Sequence, residues 1–334
     1  MVKIKMRSST ITGLGKYLPP KTLTNKDLEK IVDTSDEWIK SRTGIKKRYI
    51  AADDVPTSEL AYEAAVEALN RANLEADELD MILVATVTPD MAFPSTSCIL
   101  EDKLGANNVA TLDIEAGCSG FVYGLSVAHQ FIATGMYDNI LVIGAETLSK
   151  IMDWEDRNTC VLFGDGAGAA VLQPTDKGGF LAFDLGSDGS GGKSLYMPAG
   201  GSLNPASQET VQNKMHSIKM EGNQVFKFAV KRMSQASLDV IENAEMNTDD
   251  IDLFIPHQAN TRIIKSAAKR LDLSQDEVYV NLPEYGNTSS ASVPIALTEA
   301  HEKNLIQNGD NIVLVAFGAG LTWASTIIEW NEGE

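Results

Sequence analysis

A cysteine placed between glycines is the residue of this chain whose setting points most directly to chemistry. Cys118 lies in GCSGFVYGLSVA (117–128), where Gly117 permits a tight strand-to-helix turn and Gly120 permits close approach by another backbone. The N–H groups and the macrodipole at a helix N-terminus favour a thiolate, and the Cys118 N–H can stabilise an oxyanion on a bound thioester. The pattern predicts an acyl-transfer nucleophile; the alternative is a small buried cysteine in a packed turn.

Two further polar residues lie far along the chain, one directly after a predicted strand and the other just before a predicted helix. His257 comes directly after an apolar stretch and precedes the predicted helix NTRIIKSAAKRL (260–271). Asn287 lies in YGNTSSASVPIAL (285–297). Taken alone, His257 is typical of a structural histidine at a strand end, and Asn287 of a helix N-cap or turn residue. A role in a site therefore depends on whether the fold brings them to Cys118.

Short apolar runs alternate with helical patterns throughout the chain, which predicts parallel strands in a layered α/β architecture. The helical pattern TSELAYEAAVEALNRANL (57–74) has Ser58 or Thr57 as its predicted N-cap. The predicted buried strands are MILVATV (81–87), ILVIGAE (140–146), LFIPH (253–257) and IVLVAFG (312–318).

The chain also repeats itself at a constant offset of 172 residues. DELDMILVA from Asp77 matches DDIDLFIPH from Asp249, and DNILVIGA from Asp138 matches DNIVLVAF from Asp310. The same offset pairs Leu125, Ala128 and His129 with Leu297, Ala300 and His301. The repeat predicts two duplicated α/β halves, residues 1–175 and 176–334.

The repeat has a geometrical consequence for the polar residues. Cys118 aligns with Ser290, just after Asn287, and His257 ends the strand that matches the one near Ala85. If a pseudo-two-fold axis relates the halves, the helix after Cys118 and the helix after Asn287 face the same cleft. The repeat therefore directs Cys118, His257 and Asn287 toward one place.

The composition excludes several classes of protein. With 28 basic and 46 acidic residues the net charge is −18, which disfavours nucleic acid and anionic membrane as partners. The N-terminal MVKIKMRSSTITGLG carries no apolar signal region and no run approaches a bilayer span. The three cysteines form no CxxC pair, which is typical of a reducing compartment. We expect a cytoplasmic protein.

Two apparent nucleotide-binding motifs do not fit their structural context, and no residue spacing predicts a metal site. GDGAGAAV (164–171) matches a dinucleotide fingerprint, but AAVLQP after it predicts a strand rather than a helix. GSDGSGGKS (186–194) has Ser187 where a phosphate-binding loop needs its first glycine. Both are interpreted as turns.

One predicted helix carries a basic face in this acidic chain, formed by Arg262, Lys265, Lys269 and Arg270. A solvated surface is one interpretation. The other is a docking patch for an acidic partner.

Motifs along nearly the whole chain resemble those of the β-ketoacyl-acyl carrier protein synthase III family, within the thiolase-like superfamily. The order Cys118, His257, Asn287 separates this family from elongating synthases, which have a second histidine at the Asn287 position, and from thiolases, which have a second cysteine near Gly318–Gly320. The motifs are NKDLEKIVDTSDEWIKSRTGIKKRYIA (25–51), TVTPDMAFPS (86–95), GCSGFVYGLSVA (117–128), DRNTCVLFGDGAGAAVL (156–172), EGNQVFKFAV (221–230), PHQANTRI (256–263), YGNTSSASVP (285–294) and FGAGLTW (317–323).

The resemblance implies a thiolase-like fold of duplicated α/β halves in a layered αβαβα arrangement, and a decarboxylating condensation. Cys118 would be acylated by a short acyl-CoA starter, with the N–H groups of Cys118 and Gly320 as the oxyanion hole. His257 and Asn287 would donate hydrogen bonds to the malonyl thioester carbonyl. Acyl-CoA and malonyl-acyl carrier protein would be substrates, and no cofactor or metal is implied.

The resemblance also implies binding residues and a homodimer. Trp38 and Arg157 would flank the CoA adenine. Phe93 would close the acyl pocket of a partner subunit. Along the same CoA tunnel the family pattern places Thr34, Arg42 and Asn223. The basic face of Arg262, Lys265, Lys269 and Arg270 would dock the acidic acyl carrier protein, with Arg262 and Lys269 matching the family's positions.

Three departures from the family pattern bear on specificity. Ala319 replaces the middle glycine of the usual GGG, and LTWAS follows it where a glycine is common after the tryptophan, which leaves the starter chain length open. The segment 191–220 is long and predicts a flap or a dimer-cap loop. A secondary-metabolite starter ketosynthase and a catalytically silent partner subunit remain alternatives; an HMG-CoA synthase-like enzyme would need an acidic glutamate that TVTPDMAFPS lacks.

Overall fold

Two mixed β-sheets form the centre of the structure, a computed structural model that describes residues 6–331. Residues 1–5 and 332–334 lie outside this range. The predicted N-terminal half and the N-terminal segment without an apolar signal region both begin among the first five residues.

The strands of the described range are β1 (Ser8–Tyr17), β2 (Lys21–Thr24), β3 (Lys47–Ile50), β4 (Met81–Ala85), β5 (Ala110–Ile114), β6 (Ile140–Glu146), β7 (Gly166–Thr175), β8 (Gly179–Ser187), β9 (Leu195–Tyr196), β10 (Lys219–Met220), β11 (Leu253–Pro256), β12 (Asn311–Gly318) and β13 (Thr322–Glu329). The α-helices are α1 (Asn25–Leu28), α2 (Asp36–Thr43), α3 (Thr57–Ala72), α4 (Thr96–Leu104), α5 (Gly120–Ala133), α6 (Gln208–Gln212), α7 (Gly222–Asn243), α8 (Thr261–Arg270), α9 (Leu282–Tyr285) and α10 (Ser292–Glu302).

The two large sheets have corresponding strand orders. The first is β1-β7-β6-β4-β5, with β4 parallel to both β5 and β6 and with β7 antiparallel to its neighbours. The second is β11-β12-β13-β8, with β11 and β12 parallel and β13 antiparallel to its neighbours. Each sheet therefore draws on one side only of the predicted boundary between residues 175 and 176. The division into two domains stays a prediction.

Helices α5 and α10 lie between the two sheets and share one apolar core with both. Val122 and Leu125 of α5 and Val293 and Leu297 of α10 are almost completely buried there. Each such side chain contributes roughly 1.5–3 kcal/mol by its removal from water. Helix α3 covers the outer face of the first sheet, and α7 and α8 cover that of the second. The predicted layered αβαβα arrangement is confirmed.

The local predictions hold with one correction. All four predicted strands form, as β4, β6, β11 and β12, and the helix predicted at 57–74 is α3. Its N-cap is Pro56, with no side-chain cap, rather than Thr57 or Ser58. The reason is tertiary, because the Thr57 hydroxyl donates to the Thr88 carbonyl instead, at 2.5 Å.

The interpretation of GDGAGAAV as a turn is wrong, because β7 begins at Gly166 and includes six of its eight residues. GSDGSGGKS joins the end of β8 to a 3₁₀ turn at Gly189–Ser194, as interpreted. In the segment 191–220, the structure forms the two-stranded sheet of β9 and β10 and the short helix α6. Among residues 6–331, no helix is both long enough and apolar enough to cross a membrane.

Candidate active site

Cys118 lies in a 3₁₀ turn, Gly117–Ser119, which leads from β5 into α5 and is here called the thiol turn. Gly117 has φ of +54°, and a Cβ there would lie 2.7 Å from the Ala319 amide nitrogen. A Cβ at Gly318 would lie 2.4 Å from the Cys118 amide nitrogen. Both positions therefore require glycine, because the loop after β12 packs backbone against backbone on the thiol turn.

The Cys118 thiol is buried, with 6% of the residue exposed. Burial raises the pKa of the Cys118 thiol to about 12; a hydrogen bond with Ser289 lowers it, and the charges of Glu146 and Glu115 raise it. Burial is the largest of these effects, and it opposes the preference for a thiolate that we expect from the helix N-terminus. That preference stays a prediction.

His257 follows β11 and is 1% exposed. Its Nδ1 lies 2.5 Å from the Ser292 hydroxyl at the start of α10, and the Phe317 ring stands edge-on to the imidazole with centroids 5.3 Å apart. Burial lowers the pKa of His257 to about 3, so the imidazole is neutral. The Ser292 oxygen accepts the Gln258 N–H at 3.4 Å. When the Ser292 O–H donates to Nδ1, the ring proton is on Nε2, which can then act as a hydrogen-bond donor.

Asn287 is held by its backbone and by one end of its side chain. Its N–H donates to the Leu162 carbonyl and its carbonyl accepts the Gly164 N–H, both at 2.9 Å. Its Oδ1 accepts the Ser289 N–H at 2.9 Å. Because the amide oxygen is engaged in this way, the amide NH₂ is left as a donor.

Two cavities meet at Cys118. The smaller, of about 100 Å³, is bordered by Cys118, His257 and Asn287 together. The larger, of about 950 Å³, is bordered by Cys118 and by Phe93, Ala319 and Gly320. The fold thus brings the three predicted residues to the wall of one cavity, where a thiol, a neutral imidazole and a carboxamide lie together. Such an arrangement can hold an acyl group on sulfur while the donors polarise a second carbonyl group.

The residues predicted to bind CoA divide into two groups. The guanidinium groups of Arg157 and Arg42 lie 5.3 and 5.7 Å from the centroid of the Trp38 ring, so these three form one surface cluster. Thr34 has a buried hydroxyl without a hydrogen-bond partner. Asn223 is exposed in the first turn of α7, beside Gly222, which borders the smaller cavity.

The basic face lies on α8, where Arg262, Lys265, Lys269 and Arg270 are all exposed. The Arg262 guanidinium lies 5.1 Å from the centroid of the Phe226 ring, and Phe226 borders the smaller cavity. The face therefore adjoins the cavity that holds His257 and Asn287.

The sequence reasoning missed three residues of the site: Glu146, Ser289 and Ser292. Glu146 ends β6 and is completely buried beside the thiol turn. The 172-residue repeat contained the signal for two of them, since it aligns Ser289 with Gly117 and Glu146 with Gly318. Within residues 6–331, no group of histidine, cysteine and acidic side chains is arranged to hold a metal ion.

Comparison with known proteins shows the family to which the chain belongs. Residues 112–189 match the family model of 3-oxoacyl-[acyl-carrier-protein] synthase III, and residues 241–330 match the model of its C-terminal part. The chain is 64% identical to the β-ketoacyl-[acyl-carrier-protein] synthase III of Caldanaerobacter subterraneus subsp. tengcongensis, over 96% of this chain and 98% of the relative. It is 58% identical to that of Natranaerobius thermophilus, over 97% of this chain and all of the relative.

Solved structures give the same result. The 3-oxoacyl-[acyl-carrier-protein] synthase III of Aquifex aeolicus superposes with a TM-score of 0.89 at 46% identity, over 96% of this chain and 100% of that one. The priming β-ketosynthase of the R1128 polyketide pathway superposes with a TM-score of 0.91 at 33% identity, over 98% of both chains. The chain belongs to the β-ketoacyl-[acyl-carrier-protein] synthase III family.

Proposed function

We propose that this enzyme condenses a short-chain acyl-CoA with malonyl-acyl carrier protein, releasing CoA and carbon dioxide and forming a 3-oxoacyl-acyl carrier protein. This is the first condensation of fatty acid synthesis, and both reactants are substrates, so the reaction uses no cofactor. The observation that carries the proposal is the shared cavity at which the Cys118 thiol meets His257 and Asn287.

In the first half-reaction the Cys118 sulfur attacks the acyl-CoA thioester. The carbonyl oxygen becomes an oxyanion, which the N–H groups of Cys118 and Gly320 stabilise. The close packing of Gly318 on Cys118 supports this role, because it holds the two backbone segments in one place. CoA leaves, and the acyl group stays on sulfur, facing the larger cavity.

In the second half-reaction malonyl-acyl carrier protein places its thioester carbonyl between His257 and Asn287. Loss of carbon dioxide leaves an enolate, whose oxygen takes hydrogen bonds from His257 Nε2 and the Asn287 amide. Both groups have their other polar end engaged, by Ser292 and by the Ser289 N–H, so neither must reorient as charge develops. The enolate carbon then attacks the acyl-Cys118 carbonyl.

The two substrates bind at two different surface clusters. The cluster of Trp38, Arg42 and Arg157 binds the CoA nucleotide, with Thr34 and Asn223 along its path. The α8 face binds the acidic carrier protein, and its position next to Phe226 supports this. Phe93 is 84% exposed, as expected of a side chain that enters a second subunit of a cytoplasmic homodimer.

A starter ketosynthase of secondary metabolism is the second candidate. Its support is the R1128 priming enzyme, at 33% identity, together with Ala319 on the wall of the larger cavity. The identity of 64% to a synthase III favours the first candidate.

Labelling with radioactive short acyl-CoA tests the proposal. We expect one acyl group per chain, located on Cys118 by peptide mass spectrometry, and no label after Cys118→Ser. Addition of malonyl-acyl carrier protein should chase the label into a 3-oxoacyl product. Label that survives Cys118→Ser, or an acyl-enzyme that malonyl-acyl carrier protein does not discharge, would refute the assignment.

A further inference from the structure

Two hydroxyl side chains lie where the loop after β12 meets the thiol turn. Thr322 is the first residue of β13, and Ser119 is the last residue of the thiol turn. The Thr322 Oγ1 lies 2.8 Å from the Ser119 Oγ, although the two residues are 203 positions apart in the chain. Both residues lie next to Cys118 or its packing partners, but the proposed half-reactions use neither hydroxyl.

The Thr322 hydroxyl touches a backbone carbonyl on each side of this junction. Its Oγ1 lies 2.8 Å from the Ala116 carbonyl oxygen, directly before the thiol turn, and 3.0 Å from the Ala319 carbonyl oxygen, in the loop after β12. The Ser119 Oγ lies 2.7 Å from the same Ala116 oxygen. When Ser119 donates to that oxygen, the Thr322 proton is available to the Ala319 carbonyl. The two hydroxyls together therefore connect both backbone segments.

The direction of the Gly320 N–H depends on the Ala319 carbonyl, because the two groups belong to one trans peptide unit. A peptide unit is planar, and in the trans form its C=O and N–H bonds point in opposite directions. A hydrogen bond that holds the Ala319 oxygen therefore also sets the direction of the Gly320 N–H. Among the backbone hydrogen bonds of residues 6–331, none uses the Gly320 N–H, so this group is available to an oxyanion.

Sheet backbone holds the start of β13, which carries the Thr322 hydroxyl. The Leu321 N–H donates to the Asp188 carbonyl at 3.0 Å, and the Asp188 N–H donates to the Leu321 carbonyl at 2.8 Å. Thr322 itself is paired with Ser187 at the end of β8. The hydroxyl therefore extends from a strand that is fixed on both sides, and it binds a loop carbonyl that has no such pairing.

We infer that Thr322 positions the oxyanion hole: its hydroxyl holds the Ala319 carbonyl, so that the Gly320 N–H faces the acyl carbonyl oxygen. Ser119 supports this by binding the Ala116 carbonyl, which otherwise competes for the Thr322 proton. A donor that is fixed before the reaction needs no reorganisation as charge develops on the oxygen. The inference rests on the proposed function, because it takes Cys118 as the acylated residue.

Single-turnover acylation by labelled short acyl-CoA, measured over a range of acyl-CoA concentrations, is the test. Thr322→Val keeps the β-branched shape of the side chain and removes the hydroxyl, whereas Thr322→Ser keeps the hydroxyl. We expect Thr322→Val to slow acylation at saturating acyl-CoA by about tenfold and to leave the half-saturating concentration nearly unchanged, because the oxyanion forms only in the transition state. Thr322→Ser should stay close to the native rate, and Ser119→Ala should lose less than Thr322→Val.

Alkylation of Cys118 by iodoacetamide, followed by peptide mass spectrometry, distinguishes positioning of the donor from damage to the thiol turn. This reaction displaces iodide from a saturated carbon and forms no oxyanion, so Thr322→Val should react at the native rate. Decarboxylation of malonyl-acyl carrier protein should also stay close to native. Thr326→Val is the matched control, because the Thr326 hydroxyl of the same strand lies 2.9 Å from the Ala182 carbonyl oxygen of β8. It should change none of these rates.

Native acylation by Thr322→Val, or an equal loss in Thr326→Val or Thr322→Ser, would overturn the inference. Alkylation that slows as much as acylation would also overturn it, because the thiol itself would then have moved. In each case label on Cys118 of the native enzyme would still uphold the proposed function, whereas label on another residue would overturn both. If Thr322→Val does not fold, Thr322→Ala, which also lacks the hydroxyl, decides by the same measurements.

Discussion

Two short turns that correspond at the 172-residue offset have opposite chemistry. The thiol turn Gly117–Ser119 opens α5, and the turn Ser289–Ala291, here called the serine turn, opens α10. Their first residues, Gly117 and Ser289, have nearly the same left-handed φ, +54° and +49°. Gly117 of the thiol turn and Gly120, the first residue of α5, correspond to Ser289 and Ser292, which have hydroxyls.

The difference follows from what each turn faces. Gly117 must be glycine because the loop at Ala319 lies against it. Ser289 carries a side chain at this φ, and its N–H donates to the Asn287 Oδ1. The strands that follow α5 and α10 show the same exchange. The Glu146 carboxylate lies 2.8 Å from the Ser290 hydroxyl, whereas the corresponding Gly318 packs closely on the Cys118 backbone. One copy of the turn carries Cys118, the proposed nucleophile, and the other carries two serine hydroxyls.

The largest effect should come from closing the space at the thiol turn. Gly318→Ala would place a Cβ 2.4 Å from the Cys118 nitrogen and displace the proposed oxyanion donor. We expect acylation to slow by about 100- to 1000-fold. Gly189→Ala is the matched control, since a Cβ there meets nothing within 4 Å. Near-native acylation in Gly318→Ala would show that this backbone contact has no part in the reaction.

A smaller effect should follow from the hydroxyl that begins α10. Ser292→Ala removes the partner of His257 Nδ1, so the ring loses the bond that keeps its proton on Nε2. We expect decarboxylation to fall about tenfold, the equivalent of one hydrogen bond of roughly 1.4 kcal/mol. Self-acylation, measured on the same preparation, should change little. An equal loss in both half-reactions would contradict the separate roles of the turns.

The smallest effects concern stability at the two left-handed positions. Gly117→Ala adds a Cβ at positive φ, 2.7 Å from a backbone nitrogen, and should lower the free energy of unfolding by about 1–3 kcal/mol. Ser289→Gly relieves the backbone but gains chain entropy in the unfolded state, so it should stay within about 1 kcal/mol of native. Urea denaturation of both variants measures this. Equal losses of unfolding free energy in the two variants would mean that the two turns are under the same backbone constraint.

Much of the architecture could be predicted because it depends on local sequence patterns and on the repeat. Continuous β-branched runs predicted β4, β6, β11 and β12, and the repeat placed the Cys118 and Asn287 helices together. The catalytic roles of Cys118, His257 and Asn287 stay predictions. The thiol pKa could not be read from the sequence, because the turn is local whereas the burial that governs the pKa comes from distant segments.

Glu146 escaped prediction for a similar reason. At the end of ILVIGAE it has the position of an ordinary solvated acid after a strand. Only the packing of Thr86, Thr88 and Ser290 around it shows that its carboxyl group points inward. The N-cap of α3 failed likewise, because the Thr57 hydroxyl binds a distant carbonyl.

The central claim is that Cys118 carries the acyl group while His257 and Asn287 serve the malonyl group. Decarboxylation of malonyl-acyl carrier protein without acyl-CoA, measured beside self-acylation in Cys118→Ala, His257→Ala and Asn287→Ala, tests it most directly. We predict that Cys118→Ala still decarboxylates but takes no label, and that the other two variants lose decarboxylation by about 100-fold yet keep self-acylation. Loss of decarboxylation in Cys118→Ala to the level of His257→Ala would contradict the account.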